Sequence, residues 1–233
     1  PLSPYTYGMF SISTVLIKTA FSTSDVNQSA AFDDFRENRL TIANRLAEEH
    51  YGAGNTIPRY GDSSNPIPPE TDPNYKIYES NKGYPIGFGK SNQAVLLPSF
   101  LSAYTGGDAS NVSTGIFRSF PIPNWNVKYN GLMRYKYFKD RFKRFSLQHN
   151  YRASYTINQF RSNFDYNENP DGTDVNGNFF NKTVMSNVNL VEQFSPLIRV
   201  DFELKGSLRV LTEVKKDRAL SMSFDNNLLT EVK

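Results

Sequence analysis

Two stretches of the chain alternate strictly between apolar and polar positions. From residue 145 to 157 the odd positions read Phe145, Leu147, His149, Tyr151, Ala153, Tyr155 and Ile157; the even ones, Ser146 to Thr156, are all polar. From 198 to 210 the even positions carry Ile198, Val200, Phe202, Leu204, Gly206, Leu208 and Val210. Between them stand Arg199, Asp201, Glu203, Lys205, Ser207 and Arg209. A two-residue period sustained over about a dozen residues describes extended strands with two unlike faces. Weaker alternation at 125–129, from Val184 to Leu190, and at 220–224 adds further strands. Residues 9–21 are also strand-like, with a slip of phase at Ser13-Thr14 such as a β-bulge makes. Together these make about six strands, an all-β chain with antiparallel pairing.

Between the first strand and Trp125 the pattern changes. Phe32, Phe35, Ile42, Ala43 and Leu46 share one face at helical spacing over residues 29–51. Ser29 is placed to cap that helix, Asp33 and Asp34 suit its positive end, and Gly52 and Gly54 can terminate it. Residues 55–123 are rich in Pro and Gly, so they cannot form central strands. They read as a long loop with a short second helix near 98–104. Residues 22–124 are thus expected to be one insertion, and 125–233 the strand region. Short turns are expected at 139–144, 195–196 and 215–218, and a longer loop at 162–181, where Asp171-Gly172 and Asn176-Gly177 supply turn chemistry.

The strands at 145–158 and 198–214 exceed the soluble average of about 5–6 residues. A tilted membrane strand needs roughly 9–11. Arg199, Asp201, Glu203, Lys205 and Arg209 project together, and a buried face carrying them would need every charge paired. A face in water removes that cost. The pattern therefore fits a transmembrane β-barrel segment with a hydrated lumen, and it also fits the solvent face of a soluble sandwich. Composition permits both: mean hydropathy is -0.54, yet aromatics reach 14%. The chain opens on Pro1 and stops inside an alternating stretch, so it is expected to be a piece of a longer polypeptide.

The chemistry is sparse. There is no cysteine, which excludes thiolate catalysis, disulfides and cysteine-bound metals. A net charge of +3 is small for this length and gives no case for nucleic acid. Gly87-Phe88-Gly89-Lys90-Ser91 ends like a phosphate-binding loop, but Tyr84 stands where the pattern needs its first Gly. The basic and aromatic residues of 134–145 read as strand ends and a turn at a membrane interface rather than a single-strand nucleic-acid site. Asp171, Asp174, Asn176 and Asn178 lack calcium-loop spacing and read as a solvated turn. His50 and His149, the only histidines, make no triad or two-histidine metal site. No enzymatic activity, cofactor or metal is expected.

Several stretches resemble the SprA/Sov family of outer-membrane translocons of the Bacteroidota type IX secretion system. The strongest run is NVNLVEQFSPLIRVDF at 187–202, continued by LRVLTEVKKDRALSMSF at 208–224. AFDDFRENR at 31–39 with IANRL at 42–46, VLLPSFLSAYTG at 95–106 and IPNWNVKYNG at 122–131 occur in the family's order. The resemblance implies a slice of one very large barrel in the bacterial outer membrane that passes folded cargo proteins from periplasm to cell surface and serves gliding motility. It implies cargo, a plug protein and a peptidyl-prolyl isomerase-type accessory as partners. A substrate-specific transporter or porin, and a soluble surface adhesin, remain alternatives.

Within that reading, Phe145, Leu147, Tyr151, Tyr155, Ile198, Val200, Phe202, Leu204, Leu208 and Val210 are expected to face lipid. Arg152, Arg199, Asp201, Glu203, Lys205 and Arg209 are expected to face the lumen. The insertion is expected inside or over the barrel mouth.

Overall fold

The computed structural model describes residues 5–22 and 29–233. Among them, β1 (Tyr7–Ser13), β2 (Trp125–Tyr129), β3 (Phe142–Ser162), β4 (Thr183–Met185), β5 (Asn187–Leu204), β6 (Arg209–Ser223) and β7 (Leu228–Val232) form one open antiparallel sheet. The order is β1-β3-β5-β6-β7, with β2 and β4 also pairing β3. β4 continues the lane of β5. β1 pairs with the second half of β3, from Ser154 to Arg161, and β2 with the first half, from Leu147 to Tyr151. The two short strands therefore lie end to end on one edge and make a single lane, broken by residues 14–124. The chain is mostly β with a few helices, and the sheet is not closed.

Four expectations about the strands are corrected. Residues 198–214 are not one strand: the chain reverses at 205–208, so Lys205 and Leu208, expected on a lumen and a lipid face, lie in a hairpin turn. The Ser207 amide donates to the Leu204 carbonyl at 2.9 Å, Leu204 donates to Leu208 at 2.9 Å, and Ser207 sits at φ 68. This is a tight turn followed by a left-handed residue. Leu204 and Leu208 face each other with three residues between them, and this odd number keeps the parity, so alternation runs through the reversal without a break. The charged run at 215–218 is the converse case: expected as a turn, it is the middle of β6. Ser195-Pro196 is not a turn either. It is a bulge, with a cis peptide, where β5 carries two residues more than both neighbours between the matched positions. Finally, the strand expected at 9–21 ends at Ser13. After a last rung from the Thr14 amide to the Ala153 carbonyl the chain leaves the sheet, earlier than the expected residue 22.

The insertion carries α1 (Ala30–Tyr51), α2 (Tyr75–Ser80) and α3 (Gln93–Thr105). Short helices α4 (Lys136–Arg141) and α5 (Phe164–Glu168) occupy later loops. Ser29 caps α1 through its side chain, and Gly52, at φ 91, ends it. α3 begins before Pro98 and runs through it, under an Asn92 cap, and stops at left-handed Gly106. Every residue from Val95 to Tyr104 is buried, because α3 lies between α1 and the sheet.

Candidate functional site

Pairing places the side chains of directly opposed residues on one face of the sheet. Arg152, Arg199, Asp201, Glu203 and Arg209 share a face, together with Arg144, Gln148, Gln193 and Glu213. The charges there are paired across strands. Asp201 accepts from Arg144 at 3.2 Å and from Arg209 at 3.3 Å. Glu213 meets Lys215 at 3.0 Å and Arg199 at 3.9 Å, and Glu203 meets Lys143 at 3.4 Å. All of these groups are partly solvent-exposed, so water screens each pair and none adds much to stability. The face is electrically mixed and hydrated.

The opposite face is mostly apolar, with Thr212, Lys216 and the pair Glu192 and Arg218 as its polar members in β5 and β6, and its two halves differ. Over one half, none of the described residues of the insertion packs. Phe145 opposes Phe202 and Leu147 opposes Val200; beyond them Phe202 opposes Val210 and Ile198 opposes Val214. Leu204 continues this row toward the turn. These residues are half-buried by their lateral neighbours, while Ile198 and Val214 are exposed.

Aromatic clusters bracket this band. Toward the 205–208 turn, the rings of Phe138, Phe142, Phe145 and Phe202 pack with centroids 5.1–6.0 Å apart. Arg141 lies over the Tyr137 ring at 4.1 Å. At the other limit Trp125 stacks on Tyr151 at 4.3 Å, with Phe194 and His149 alongside. Between the clusters stand Val127, Leu147, Ile198, Val200, Val210 and Val214, with Thr212 opposite Val200 as the one hydroxyl among them.

The other half of the apolar face is a protein core. Tyr151, Ala153, Tyr155, Ile157, Val188, Leu190, Leu220 and Met222 are buried against Leu16, α1 and α3. Tyr151 and Tyr155, expected to face lipid, are corrected here: both are sealed beneath the insertion. Their hydroxyls confirm the packing. Tyr155 donates to the Ile116 carbonyl at 2.8 Å, and Tyr151 accepts from the Leu16 amide at 2.8 Å while donating to Glu192 at 2.7 Å.

Glu192 itself forms an ion pair with Arg218 at 3.0 Å, with both side chains almost wholly buried. Arg218 also donates to the Thr19 carbonyl at 3.0 Å, to the Thr19 hydroxyl at 3.0 Å and to the Leu16 carbonyl at 3.3 Å. Thr19 in turn donates to the Tyr104 carbonyl at 2.6 Å. One buried chain of polar contacts thus ties β3, β5 and β6 to the 16–19 turn and to α3. It explains the strand at 215–218: Arg218 has acceptors beneath the insertion, and Lys216 lies over the Phe21 ring at 4.6 Å. Sequence reasoning missed this pair. Its only trace is a charge at each of two positions whose parity belongs to the apolar face.

The remaining motifs are structural. In the 87–91 loop, Gly89 and Lys90 amides donate to the side-chain oxygens of Asn178 and Asn81, so the donors a phosphate would need are occupied. Gly87, at φ +81, has the Phe179 ring where a Cβ would sit. Asp174 accepts from the Asn176 and Asn178 amides and closes its own turn. Among the described residues no group of three or more His, Asp or Glu could hold a metal, and no helix is long and apolar enough to cross a membrane. No protein-family model matches the chain, and no curated protein matches it.

Proposed function

We propose that this chain is a section of the wall of an outer-membrane β-barrel, with its charged face toward a water-filled lumen and its uncovered apolar band in lipid. The observation that carries the reading is the aliphatic band between two aromatic clusters, back to back with a face of cross-strand ion pairs. Barrels in lipid need an outward apolar band of about 25 Å flanked by aromatic girdles. From Phe142 to Tyr151 is nine steps along β3, roughly 30 Å of strand at 3.4 Å per step, or about 23 Å when tilted by about 40°. β3 as a whole has 21 residues, about twice what crossing requires. Half of it must stand in water, and that is the half whose apolar face the insertion covers.

On this reading the insertion lies outside the wall, against the apolar face, and not within the mouth. It leaves the broken lane at the level of Tyr151 and Ser154, one end of the band. The 163–182 loop lies at the covered end and the tight 205–208 turn at the other. Outer-membrane barrels keep short turns in the periplasm and long loops outside. The insertion and the 163–182 loop are the longest connections, so on this reading the covered end projects from the cell surface. The shorter 130–141 link lies at the opposite end, and the 224–227 turn at the covered end. Five lanes are fewer than the roughly eight that the smallest barrels use; further strands complete the wall.

With the resemblance to the SprA/Sov family, the function is passage of folded cargo through the outer membrane, assisted by a plug and a peptidyl-prolyl isomerase-type accessory. A lumen wall carrying both signs of charge suits varied cargo better than one selected ion. The deciding test is cysteine scanning of the intact protein in outer membranes, which the cysteine-free background permits. Cysteines at Leu147, Val200 and Val210 should resist a membrane-impermeant thiol reagent until detergent is added, and those at Gln148, Arg199 and Glu213 should react. Equal labelling of both sets overturns the membrane reading. A closed barrel of about 8 to 22 strands overturns the translocon reading and leaves a porin or transporter.

A further inference from the structure

A cavity of about 450 Å³ opens in the insertion between α3 and the 116–122 segment, beside the free edge of β1. Its floor includes Ile12 and Tyr155, its walls Val15 and Leu101, and its outer lip Phe120 and Ile122. Phe120 is 79% exposed and Ile122 41%, so an apolar lip faces outward. The 116–122 segment is held as a roof at both ends: Ile116 accepts from Tyr155, and the Ile122 amide donates to the Ser13 carbonyl at 3.2 Å. The size is that of a small-ligand pocket, typically about 300–1,000 Å³.

Two cations line this apolar space, Arg118 and Lys18, and among the described residues no Asp or Glu does. Lys18 spends one donor on the Gly106 carbonyl at 3.2 Å. Arg118 is half-buried, and among the described residues it has neither an ion pair nor a side-chain hydrogen bond. Burial pulls its guanidinium below the usual arginine range, with only a partial offset from Tyr155 beside it. Elsewhere in this molecule the comparable buried arginine, Arg218, has a carboxylate and two carbonyls around it. A planar guanidinium presented to an apolar cavity is suited to a bidentate carboxylate or phosphate.

We propose that this cavity binds an anionic amphiphile, with its head on Arg118 and its hydrocarbon tail running past Leu101 and Val112 to the Phe120 lip. The site belongs to the insertion and stands whether or not the wall spans a membrane. The test uses the intact protein in an amphipol, titrated with dodecanoate carrying ¹³C at its carboxyl carbon. Bound dodecanoate should keep its ionised carboxyl resonance to lower pH than free dodecanoate. Arg118→Gln should weaken binding by about tenfold or more, and Arg118→Lys should restore part of it. Val112→Phe, which fills the cavity and leaves Arg118 in place, should also abolish binding and guards against misfolding of the first variant. Dodecyl phosphate binding in place of dodecanoate identifies a phosphate head and supports the same site. Equal affinity for dodecanol, equal affinity for acetate or inorganic phosphate alone, or no binding by any amphiphile overturns the proposal.

Discussion

The two halves of the apolar face share strands, parity and residue types, and differ in what lies above them. At the covered half Tyr155, Leu190 and Leu220 are each about 1% exposed or less, and a charge pair is buried among them. At the open half Ile198 and Val214 are 47% and 49% exposed, and no charge interrupts the row between the aromatic clusters. A protein core can accommodate Glu192 and Arg218 because the turn at 16–19 supplies carbonyls and a hydroxyl. If the open half lies in hydrocarbon, as proposed, no acceptor is available to a charge there, and none stands between its aromatic clusters. Residue content follows the covering phase even where the strand is continuous.

The sharpest way to separate the halves is to break the buried pair. Glu192→Ala leaves Arg218 buried and uncompensated and should cost about 3–5 kcal/mol of stability, measured by urea unfolding. Replacing both partners together, Glu192→Leu with Arg218→Met, should recover most of that loss. If the single and double variants are equally destabilised, the network is not the tie between sheet and insertion.

Next in size are apolar substitutions, whose effects should diverge between the halves. Leu190→Ala should cost about 2–5 kcal/mol in any surroundings, since it empties a protein core. Val200→Arg should cost about 2–4 kcal/mol when the protein is folded into a bilayer, and far less in a water-soluble setting. A Val200→Arg penalty that is the same with and without lipid would place protein over the open half.

The covered half should also respond to alkali. Burial pushes the Tyr104 hydroxyl up to about 12 from an ordinary 10.0. The neutral form is the one the folded chain keeps, so the unfolded chain releases its proton first. This contribution is fully present below pH 10 and is lost as pH rises from there through about 12. Tyr104→Phe should flatten that part of the stability curve. The smallest effect is expected at the open end's hairpin, where Ser207 holds a left-handed conformation that glycine adopts freely. Ser207→Gly should add about 0.5–1 kcal/mol, read from the shift in the unfolding midpoint.

Much of this architecture is legible in the residues. Alternation assigns Arg199, Asp201, Glu203 and Arg209 to one face and Phe145, Leu147, Val200 and Phe202 to the other, because a pleated strand turns each successive side chain over. Ser29 and Gly52 delimit α1, because helix ends leave amides and carbonyls that those residues satisfy or release. The hairpin closed by Leu204 and Leu208 is hidden by its own arithmetic, since the three residues between them are an odd count and conserve parity. The strand at 215–218 is hidden by its charges, whose acceptors come from Leu16 and Thr19, some two hundred residues away in the chain.

Sequence by itself therefore determined the two-faced strands and the capped helix, for these depend on periods and contacts within a few residues. Tertiary structure alone decided where strands reverse, that β1 and β2 are one interrupted lane, and that Tyr151 and Tyr155 lie under protein while Leu147 and Val200 do not. Covering an apolar row is a property of whatever reaches it from elsewhere in the chain, and an apolar residue carries the same local signature in either case.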